Sequence, residues 1–353
     1  MEASFPLAFA LGVAGTVIAT PSAIAIARRT AFYDRPTGYK RHATPTPYLG
    51  GLAVVAGLIA GSLALGGDLS DLWAVPVAAV ALLAVGTLDD RVGLGITPRL
   101  AVEAGAATLL FYEGFGWSAF GNEAANLLLT VVFVVAVVNA YNLMDNLDGA
   151  APTVALVSAA AIAIYATIQG GPGVGALGMA LAGACTGFLP YNLAKPGARV
   201  FLGDGGSMAI GGSLAALLMS LPGTGGFGWE LIPVMVVMVG LPAFDTALVT
   251  VSRLRRRVTV LSGACDHLTH RLLDRLGSCR LVALALAGGQ AALSGAAIGL
   301  LSLTPAAAAA GAAALIVAAT AVIVALETSR WAVRVPATQP GISRQAARDE
   351  SPA

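Results

Sequence analysis

Long apolar stretches alternate with short polar segments along the whole 353-residue chain. A helix needs about 20 mostly apolar residues to cross the hydrocarbon core of a bilayer. Segments close to this length predict eleven transmembrane helices, at 5–27, 49–67, 72–88, 98–115, 124–142, 152–169, 173–191, 206–222, 231–251, 281–302 and 306–327. Two of them are irregular: 98–115 carries Glu103 and Glu113, and 173–191 is rich in glycine.

Composition supports this pattern. Hydrophobic residues make up 57% of the chain and charged residues 11%, and the mean hydropathy is +0.81. These values exclude a soluble domain and predict an all-α, polytopic integral membrane protein. Residues 1–330 are predicted to form one membrane domain. Residues 331–353 are polar, with Pro336 and Pro340, and are predicted to be a disordered cytoplasmic tail.

The distribution of charge predicts the orientation. With eleven crossings, all 20 Lys and Arg residues fall on one side of the membrane. The loops on the opposite side carry only acids, namely Glu2, Asp68, Asp71, Glu113, Glu123 and Glu230. Positive charge accumulates on the cytoplasmic side of membrane proteins. The N-terminus is therefore predicted to lie outside and the C-terminus in the cytoplasm.

A polar motif follows the apolar run 127–138. Asn139, Asn142, Asp145 and Asp148 recur at every third position and end in a Gly turn. On a helix or tight helical turn, this spacing keeps the side chains roughly on one side. Clustered side-chain oxygens suit a hard cation such as Mg²⁺ and a sugar nucleotide. The alternative is an ordinary helix cap and turn, where Asn, Asp and Gly are common.

Two further acidic motifs fall on the same predicted side. Asp89 and Asp90 are adjacent at the end of the third segment, where two carboxylates repel each other unless a cation compensates. Asp204 lies in the glycine-rich segment 201–208, just before a helix whose N-terminus favours an anion. An N-capping turn is the alternative for Asp204. Upstream, Asn192 ends the seventh segment.

Basic motifs complete the set. Lys40, Arg41 and His42 lie in a Pro-rich loop and either face phosphates or only add positive charge to the cytoplasmic side. His267, His270 and Arg271 share a helical face that suits a diphosphate better than zinc, since no third soft ligand is near. Two other features are secondary: the arginines of 253–257, predicted to anchor the membrane surface, and Asp245 inside segment 231–251.

Together these motifs resemble the polyprenyl-phosphate N-acetylhexosamine-1-phosphate transferases, the MraY/WecA-like family. The resemblance runs from about Asp34 to Leu273. The matching residues are Lys40, Arg41, His42, Pro47, Gly50 and Gly51; Asp89, Asp90 and Arg91; Asn139, Asn142, Asp145, Asp148 and Gly149; Phe201, Gly203, Asp204, Gly206 and Ser207; Pro242, Asp245 and Thr246; and His267, His270 and Arg271.

The resemblance implies transfer of a sugar-1-phosphate from a UDP-N-acetylhexosamine to a polyprenyl phosphate, with release of UMP. The reaction would require Mg²⁺, for which Mn²⁺ is a substitute, and would take place at the cytoplasmic face of a bacterial inner membrane, as the first membrane step of an envelope glycan pathway. No nucleic acid is implied, and a homodimer is plausible by family resemblance alone.

The resemblance also implies roles for individual residues. Asp204 would be the principal Mg²⁺ ligand, assisted by Asp145 or Asp90, and Asp89 would deprotonate or orient the lipid phosphate. Asn142, Asp148, Asn192 and Phe201 would position the nucleotide, and His267, His270 and Arg271 would hold the diphosphate or leaving UMP. Asn139 is expected to be a further substrate-binding residue, as are Lys40, Arg41 and His42.

The chain departs from the family pattern at several positions. Asn146 replaces Gly, Ala150 replaces Leu and Thr269 replaces the middle His, and no Asp-Lys pair precedes His267. These departures favour a GlcNAc-type branch over a phospho-MurNAc-pentapeptide enzyme. Two other classes stay open, a catalytically inactive paralogue and a secondary transporter. Transporters place their sites near the midplane at repeat interfaces, whereas here the acids gather at one face and no repeat is visible.

Overall fold

The computed structural model describes residues 4–34, 45–221, 229–259 and 265–329. Lys40, Arg41, His42 and the tail 331–353 lie outside these ranges, so their predicted roles stay predictions. The longer helices are α1 Phe5–Arg29, α2 Gly50–Ser62, α4 Ala74–Val92, α5 Ile96–Leu110, α6 Glu123–Met144, α7 Ala150–Ile168, α8 Pro172–Asn192, α9 Gly203–Met219, α11 Gly240–Arg256, α13 Cys279–Leu301 and α14 Pro305–Thr328. The shorter elements are α3 Leu69–Leu72, α10 Ile232–Met238, α12 Leu268–Leu276, β1 Tyr33–Asp34 and β2 Thr46–Pro47.

Each predicted apolar segment coincides with a helix or a pair of helices. By length and composition, six helices of the described chain can cross a membrane: α1, α6, α7, α8, α13 and α14. A seventh crossing would be the pair formed by Trp229–Met238 and Gly240–Arg256. The protein is therefore an all-α, multi-pass membrane protein. The count of eleven crossings and the orientation stay predictions.

The predicted single helix at 231–251 is wrong. The helix is interrupted between α10 and α11, and the helix axis bends there by 87°. A break inside a membrane is tolerated only when the released backbone groups find partners. Gln290 of α13 supplies them, since its Oε1 accepts from Leu241 N at 3.2 Å and its Nε2 donates to Met238 O at 2.8 Å. Gly240 and Pro242 lie at this break and are a local sequence signal for it, whereas the polar partner comes from a distant helix.

Helix α9 forms the centre of the bundle. Its residues from Gly205 to Met219 are all buried, and it packs against α4, α6 and α2. A helix that is apolar all round belongs in a core or in lipid, and its small residues let neighbouring backbones approach closely. By contrast, only 11% of the most apolar stretch of α14 is buried, so this helix lies at the outer surface of the bundle. The buried N-terminus of α9 carries Asp204.

Short backbone pairings join distant motifs at one end of the bundle. Strands β1 and β2 are antiparallel and pair Tyr33 with Pro47. Phe201 N then donates to Pro47 O at 2.9 Å, and Gly50 N donates to Phe201 O at 2.9 Å. The ends of the basic loop are thereby fixed beside the segment that leads into α9.

Candidate active site

Arg99 is the centre of the polar cluster at this end of the bundle. Its Nη1 lies 2.6 Å from Asp89 Oδ2 and 3.4 Å from Asp204 Oδ2, and its Nη2 donates to Asn142 Oδ1 at 3.1 Å. These partners come from the C-terminal ends of α4 and α6 and the N-terminal end of α9. The structure therefore brings three of the predicted site residues onto one guanidinium, which is itself partly exposed.

Asp89 has partners on both carboxylate oxygens. Besides the contact of Oδ2 with Arg99, its Oδ1 accepts from Leu94 N at 2.5 Å. This arrangement fits a residue that orients Arg99. The proposed action of Asp89 on the lipid phosphate stays a prediction.

Asp90 holds the start of α9. Its Oδ2 accepts from Asp204 N at 2.9 Å, as expected for an anion at a helix N-terminus. Gly203 makes this approach possible, because its φ is +76° and an added Cβ would lie 2.6 Å from Asp90 Oδ2. The carboxylates of Asp90 and Asp204 therefore lie at the same helix end.

Asp145 follows the last residue of α6 and faces the same acids. Partial burial, reinforced by the charges of Asp204, Asp90 and Asp148, raises the pKa of Asp145 well above its usual range. The cluster thus holds four neighbouring carboxylates against one arginine. Such an excess of negative charge favours binding of a cation.

The donor set fits Mg²⁺, which prefers carboxylate oxygens. Within the described ranges, no three His, Cys, Asp or Glu side chains are arranged to hold a metal ion by themselves. Mg²⁺ does not require such a cage, because it usually takes one or two carboxylates and completes its shell with water and substrate phosphate. Asp204, Asp145 and Asp90 are the residues that would hold it.

Two predicted substrate-binding residues have other partners. Asn139 points to α5, where its Nδ2 donates to Glu103 Oε2 at 2.5 Å and to Val135 O at 2.9 Å. Asn192 is buried; its Oδ1 accepts from Gly149 N at 2.6 Å and its Nδ2 donates to Val200 O at 3.1 Å. Both asparagines hold neighbouring segments of the cluster together, and their predicted contact with substrate stays a prediction.

Asp148 lies at the side of the cluster. It lines a cleft of about 180 Å³ with Leu193, Lys195, Ser278 and Arg280, among other residues. Arg280 donates to Leu193 O at 2.8 and 3.1 Å and so ties the start of α13 to the end of α8. The cleft offers both charge signs beside the carboxylates.

Tyr48 and Phe201 form an aromatic edge. Their ring centroids are 6.2 Å apart, and the ring planes are inclined at 62°. Burial, together with the carboxylates of Asp34, Asp90 and Asp204, raises the pKa of Tyr48 above its usual range. Tyr48 therefore remains a neutral hydroxyl beside the acids. Phe201 lies where it was predicted, and its role in nucleotide binding stays a prediction.

The two described histidines flank the start of α12. His267 Nδ1 lies 2.8 Å from Asp245 Oδ2, and Leu268 N donates to Asp245 Oδ1 at 2.6 Å. Asp245 therefore caps α12 and orients His267. The His270 ring lies 6.0 Å from that of His267. The structure thus gives Asp245 a definite role in positioning, which the sequence left secondary.

Arginines next to these histidines form buried ion pairs. Arg271 Nη2 contacts Glu327 Oε1 at 2.5 Å, which joins α12 to the end of α14. Arg253 is 2% exposed and pairs with Asp266 at 2.9 Å, so its predicted role as a membrane-surface anchor is wrong. Although burial alone would raise it, the pKa of Asp266 is held below its usual range by Arg253 and Arg256.

The two main departures from the family pattern contact each other. Thr269 Oγ1 donates to Asn146 Oδ1, although the residues are 123 positions apart in sequence. Asn146 has no positive φ, so it does not adopt the left-handed backbone conformation that Gly and Asn both tolerate. Instead the side chain of Asn146 links the acidic loop to α12.

Sequence reasoning missed Arg99, Tyr48 and Glu103 as parts of this site. A signal was present for two of them, since Arg99 and Glu103 are charged residues four positions apart within one predicted membrane segment. That spacing places both on one face of α5. It could not reveal that this face is turned towards α4, α6 and α9.

The sequence has relatives of known function. Residues 72–221 match the family model described as Glycosyl transferase family 4, a range that includes Asp89, Asp145 and Asp204. The decaprenyl-phosphate N-acetylglucosaminephosphotransferase of Mycobacterium tuberculosis (strain CDC 1551) is 33% identical, over 76% of this chain and 76% of that protein.

Two further relatives come from other bacteria. The probable undecaprenyl-phosphate N-acetylglucosaminyl 1-phosphate transferase of Bacillus subtilis (strain 168) is 29% identical, over 76% of each chain. The phospho-N-acetylmuramoyl-pentapeptide-transferase of Geobacillus kaustophilus is 32% identical, over 61% of this chain and 75% of that protein. With the motifs and their clustering at one end of the bundle, these similarities show that the chain belongs to the polyprenyl-phosphate N-acetylhexosamine-1-phosphate transferase family.

Proposed function

We propose that this protein transfers N-acetylglucosamine-1-phosphate from UDP-N-acetylglucosamine to a polyprenyl phosphate, giving polyprenyl-diphosphate-N-acetylglucosamine and UMP. The observation that carries the proposal is the convergence of Asp89, Asp204 and Asn142 on Arg99 in a chain 33% identical to a decaprenyl-phosphate N-acetylglucosaminephosphotransferase. An excess of acids around one arginine suits chemistry in which a metal ion and anionic phosphates must meet.

The reaction balances without a further co-reactant. An oxygen of the lipid phosphate forms a bond to the sugar-bearing phosphorus of the donor, and the bond from that phosphorus to the oxygen of UMP breaks. Bound Mg²⁺ would offset the negative charge of the phosphates. Arg99 would bind a phosphate oxygen, and Asp89 would hold the guanidinium in place, in keeping with their 2.6 Å contact.

The nucleotide would lie between the acidic cluster and α12. The cleft at Asp148 and the aromatic edge of Tyr48 and Phe201 are the surfaces that suit a base and a sugar. His270 would contact the diphosphate or the leaving UMP, while His267 and Arg271 would hold α12 in place through Asp245 and Glu327.

We also propose that the site faces the cytoplasm, in an eleven-crossing topology with the N-terminus outside. The clustering of Arg91, Arg99 and Arg253 at the predicted inner ends of helices supports this orientation. Single cysteines at Asp71 and at Arg199 in a cysteine-free chain would test it. An impermeant thiol reagent added to intact cells should label position 71 and not position 199. Labelling in the reverse order would overturn the orientation.

UMP release by the purified protein tests the reaction. The assay contains Mg²⁺, undecaprenyl phosphate and either UDP-N-acetylglucosamine, another UDP-N-acetylhexosamine or UDP-MurNAc-pentapeptide. We expect release with UDP-N-acetylglucosamine alone. Release only with the pentapeptide donor would assign the activity of the Geobacillus relative instead. If folded protein releases no UMP with any of these donors, the inactive paralogue or the transporter would be favoured.

A further inference from the structure

Asn146 and Thr269 form one end of a hydrogen-bond chain that reaches a histidine of the site. Asn146 Nδ2 donates to Leu143 O at 2.6 Å, and Thr269 Oγ1 contacts both Asn146 Oδ1 and, at 3.4 Å, His270 Nδ1. Thr269 is fully buried. Its hydroxyl is therefore shared between an amide of the acidic loop and a histidine of α12.

The direction of this chain follows from its fixed end. The carbonyl of Leu143 can only accept, so the Asn146 group that faces it must be the amide nitrogen. The amide oxygen then faces Thr269 and can only accept. The single hydroxyl proton of Thr269 must therefore be donated to Asn146. The Thr269 oxygen can then act only as an acceptor towards His270, so His270 Nδ1 must carry a proton.

We propose that Asn146 and Thr269 are positioning residues that hold His270 in the tautomer protonated at Nδ1, with the basic lone pair on Nε2. Which imidazole nitrogen carries the proton is set by the hydrogen bond made by the other nitrogen. His267 is held in the same tautomer by a different acceptor, since its Nδ1 faces the Asp245 carboxylate at 2.8 Å. Both histidines at the start of α12 thus present the same nitrogen as donor to the protein.

The same pair fixes the distance between two parts of the site. Asn146 is adjacent to Asp145, and Thr269 is adjacent to His270. A hydrogen bond between them ties the loop that carries the acids to the helix that carries the histidines. This explains why the chain departs from the family pattern at these two positions together: each residue is the partner of the other. The catalytic consequence rests on the proposed function, whereas the tautomer does not.

Nitrogen NMR of the full-length protein tests the tautomer directly. The chain has three histidines, so a sample labelled with ¹⁵N-histidine shows only three imidazole rings, and His270→Gln assigns one of them. At a pH where His270 is neutral, we expect protonated Nδ1 and unprotonated Nε2. Thr269→Val keeps the size of the side chain and removes the hydroxyl, so the proton should move to Nε2. Thr269→Ser keeps the hydroxyl and should retain the wild-type spectrum.

Two spectroscopic outcomes would overturn the proposal: a neutral His270 protonated at Nε2 in the wild type, or a spectrum that Thr269→Val leaves unchanged. Asn146→Ala provides a second route to the same answer, because it removes the acceptor of the hydroxyl proton without touching α12. It should produce a mixture of tautomers. A single tautomer protonated at Nδ1 in that variant would show that Asn146 has no part in the chain.

Kinetics then measure what the pair contributes to turnover. For histidines that bind metals, loss of the partner that orients the imidazole costs about tenfold to a hundredfold, and we take the lower end for His270. We expect kcat of Thr269→Val to fall about tenfold, with KM for the UDP-sugar unchanged and Thr269→Ser close to wild type. The double variant with Asn146→Ala should be no slower than Thr269→Val alone, since both act through one chain. Additive losses would contradict this.

These measurements separate the two proposals. If no UDP-sugar is turned over but His270 shows the expected tautomer, the proposed function fails and the positioning pair stands. If UMP is released while His270 has the opposite tautomer, the positioning pair fails and the proposed function stands.

Discussion

The two polar clusters at the candidate active-site end of the bundle contain similar residue types but differ in charge balance. Asp89 and Asp204 share the Arg99 guanidinium, and the neighbouring charges of Asp204 and Asp90 help to raise the pKa of the partly buried Asp145. Around α12, Asp266 is paired with two arginines and its pKa is lowered. The first cluster therefore has the charge balance that suits a cationic ligand, whereas the carboxylate of Asp266 in the second is compensated by arginines and lies beside the histidines.

The largest effect should come from removing one acid of the unbalanced cluster. Asp204→Asn removes a carboxylate that would hold Mg²⁺ at the reaction centre. We therefore expect turnover to fall about a thousandfold, as for other single groups that stabilise phosphoryl transfer. UMP release measures it. Asp71→Asn makes the same chemical change beyond the far end of α4, at an exposed residue, and should be as active as wild type. Equal activity of both variants would remove Asp204 from the site.

Breaking the balanced cluster should affect stability instead. Arg253→Met leaves the buried Asp266 with Arg256 as its remaining arginine partner, and we expect the free energy of unfolding to fall by about 3 kcal/mol, the lower end of the range for a broken buried ion pair. Denaturation in detergent measures the change. Arg257→Met, at an exposed arginine four positions later, is the control and should change stability by less than about 0.5 kcal/mol. If Arg253→Met has the same free energy of unfolding as the wild type, the ion pair between Arg253 and Asp266 does not stabilise the fold.

Mg²⁺ should stabilise the folded protein through the unbalanced cluster. A ligand at a hundred times its dissociation constant adds about 2.7 kcal/mol of stability. We therefore expect the melting temperature to rise with Mg²⁺ and to return when a chelator is added. Asp204→Asn should lose most of this rise, and Arg253→Met should keep it. An identical rise in Asp204→Asn would place the cation elsewhere.

The smallest effect concerns a wall of the cluster. Asn192→Leu leaves Gly149 N and Val200 O without their buried side-chain partner, which should lower the free energy of unfolding by about 2 kcal/mol. At temperatures where the variant is folded, we expect KM for the UDP-sugar to be unchanged. Unchanged stability with a raised KM would instead assign Asn192 to nucleotide binding, as the sequence suggested.

Much of the architecture was accessible from the apolar pattern alone, because lipid imposes a simple requirement on helix length and polarity. Asp89, Asp204 and Asn142 were identified as site residues, and the structure brings them together. Arg99 was missed, since its partners lie 10, 105 and 43 positions away along the chain. Gln290 was missed for the same reason, as the helix break that it satisfies is remote in sequence.

The sequence by itself determined the class of protein, the location of its helices and the set of acids, asparagines and histidines that resemble the family. Only the tertiary structure decided which of these residues remain electrostatically unbalanced. It turned Asn139 to Glu103 and Arg271 to Glu327, and it joined Asn146 to Thr269. The physical reason is that charge compensation and burial depend on contacts between distant segments, which local spacing along the chain does not encode.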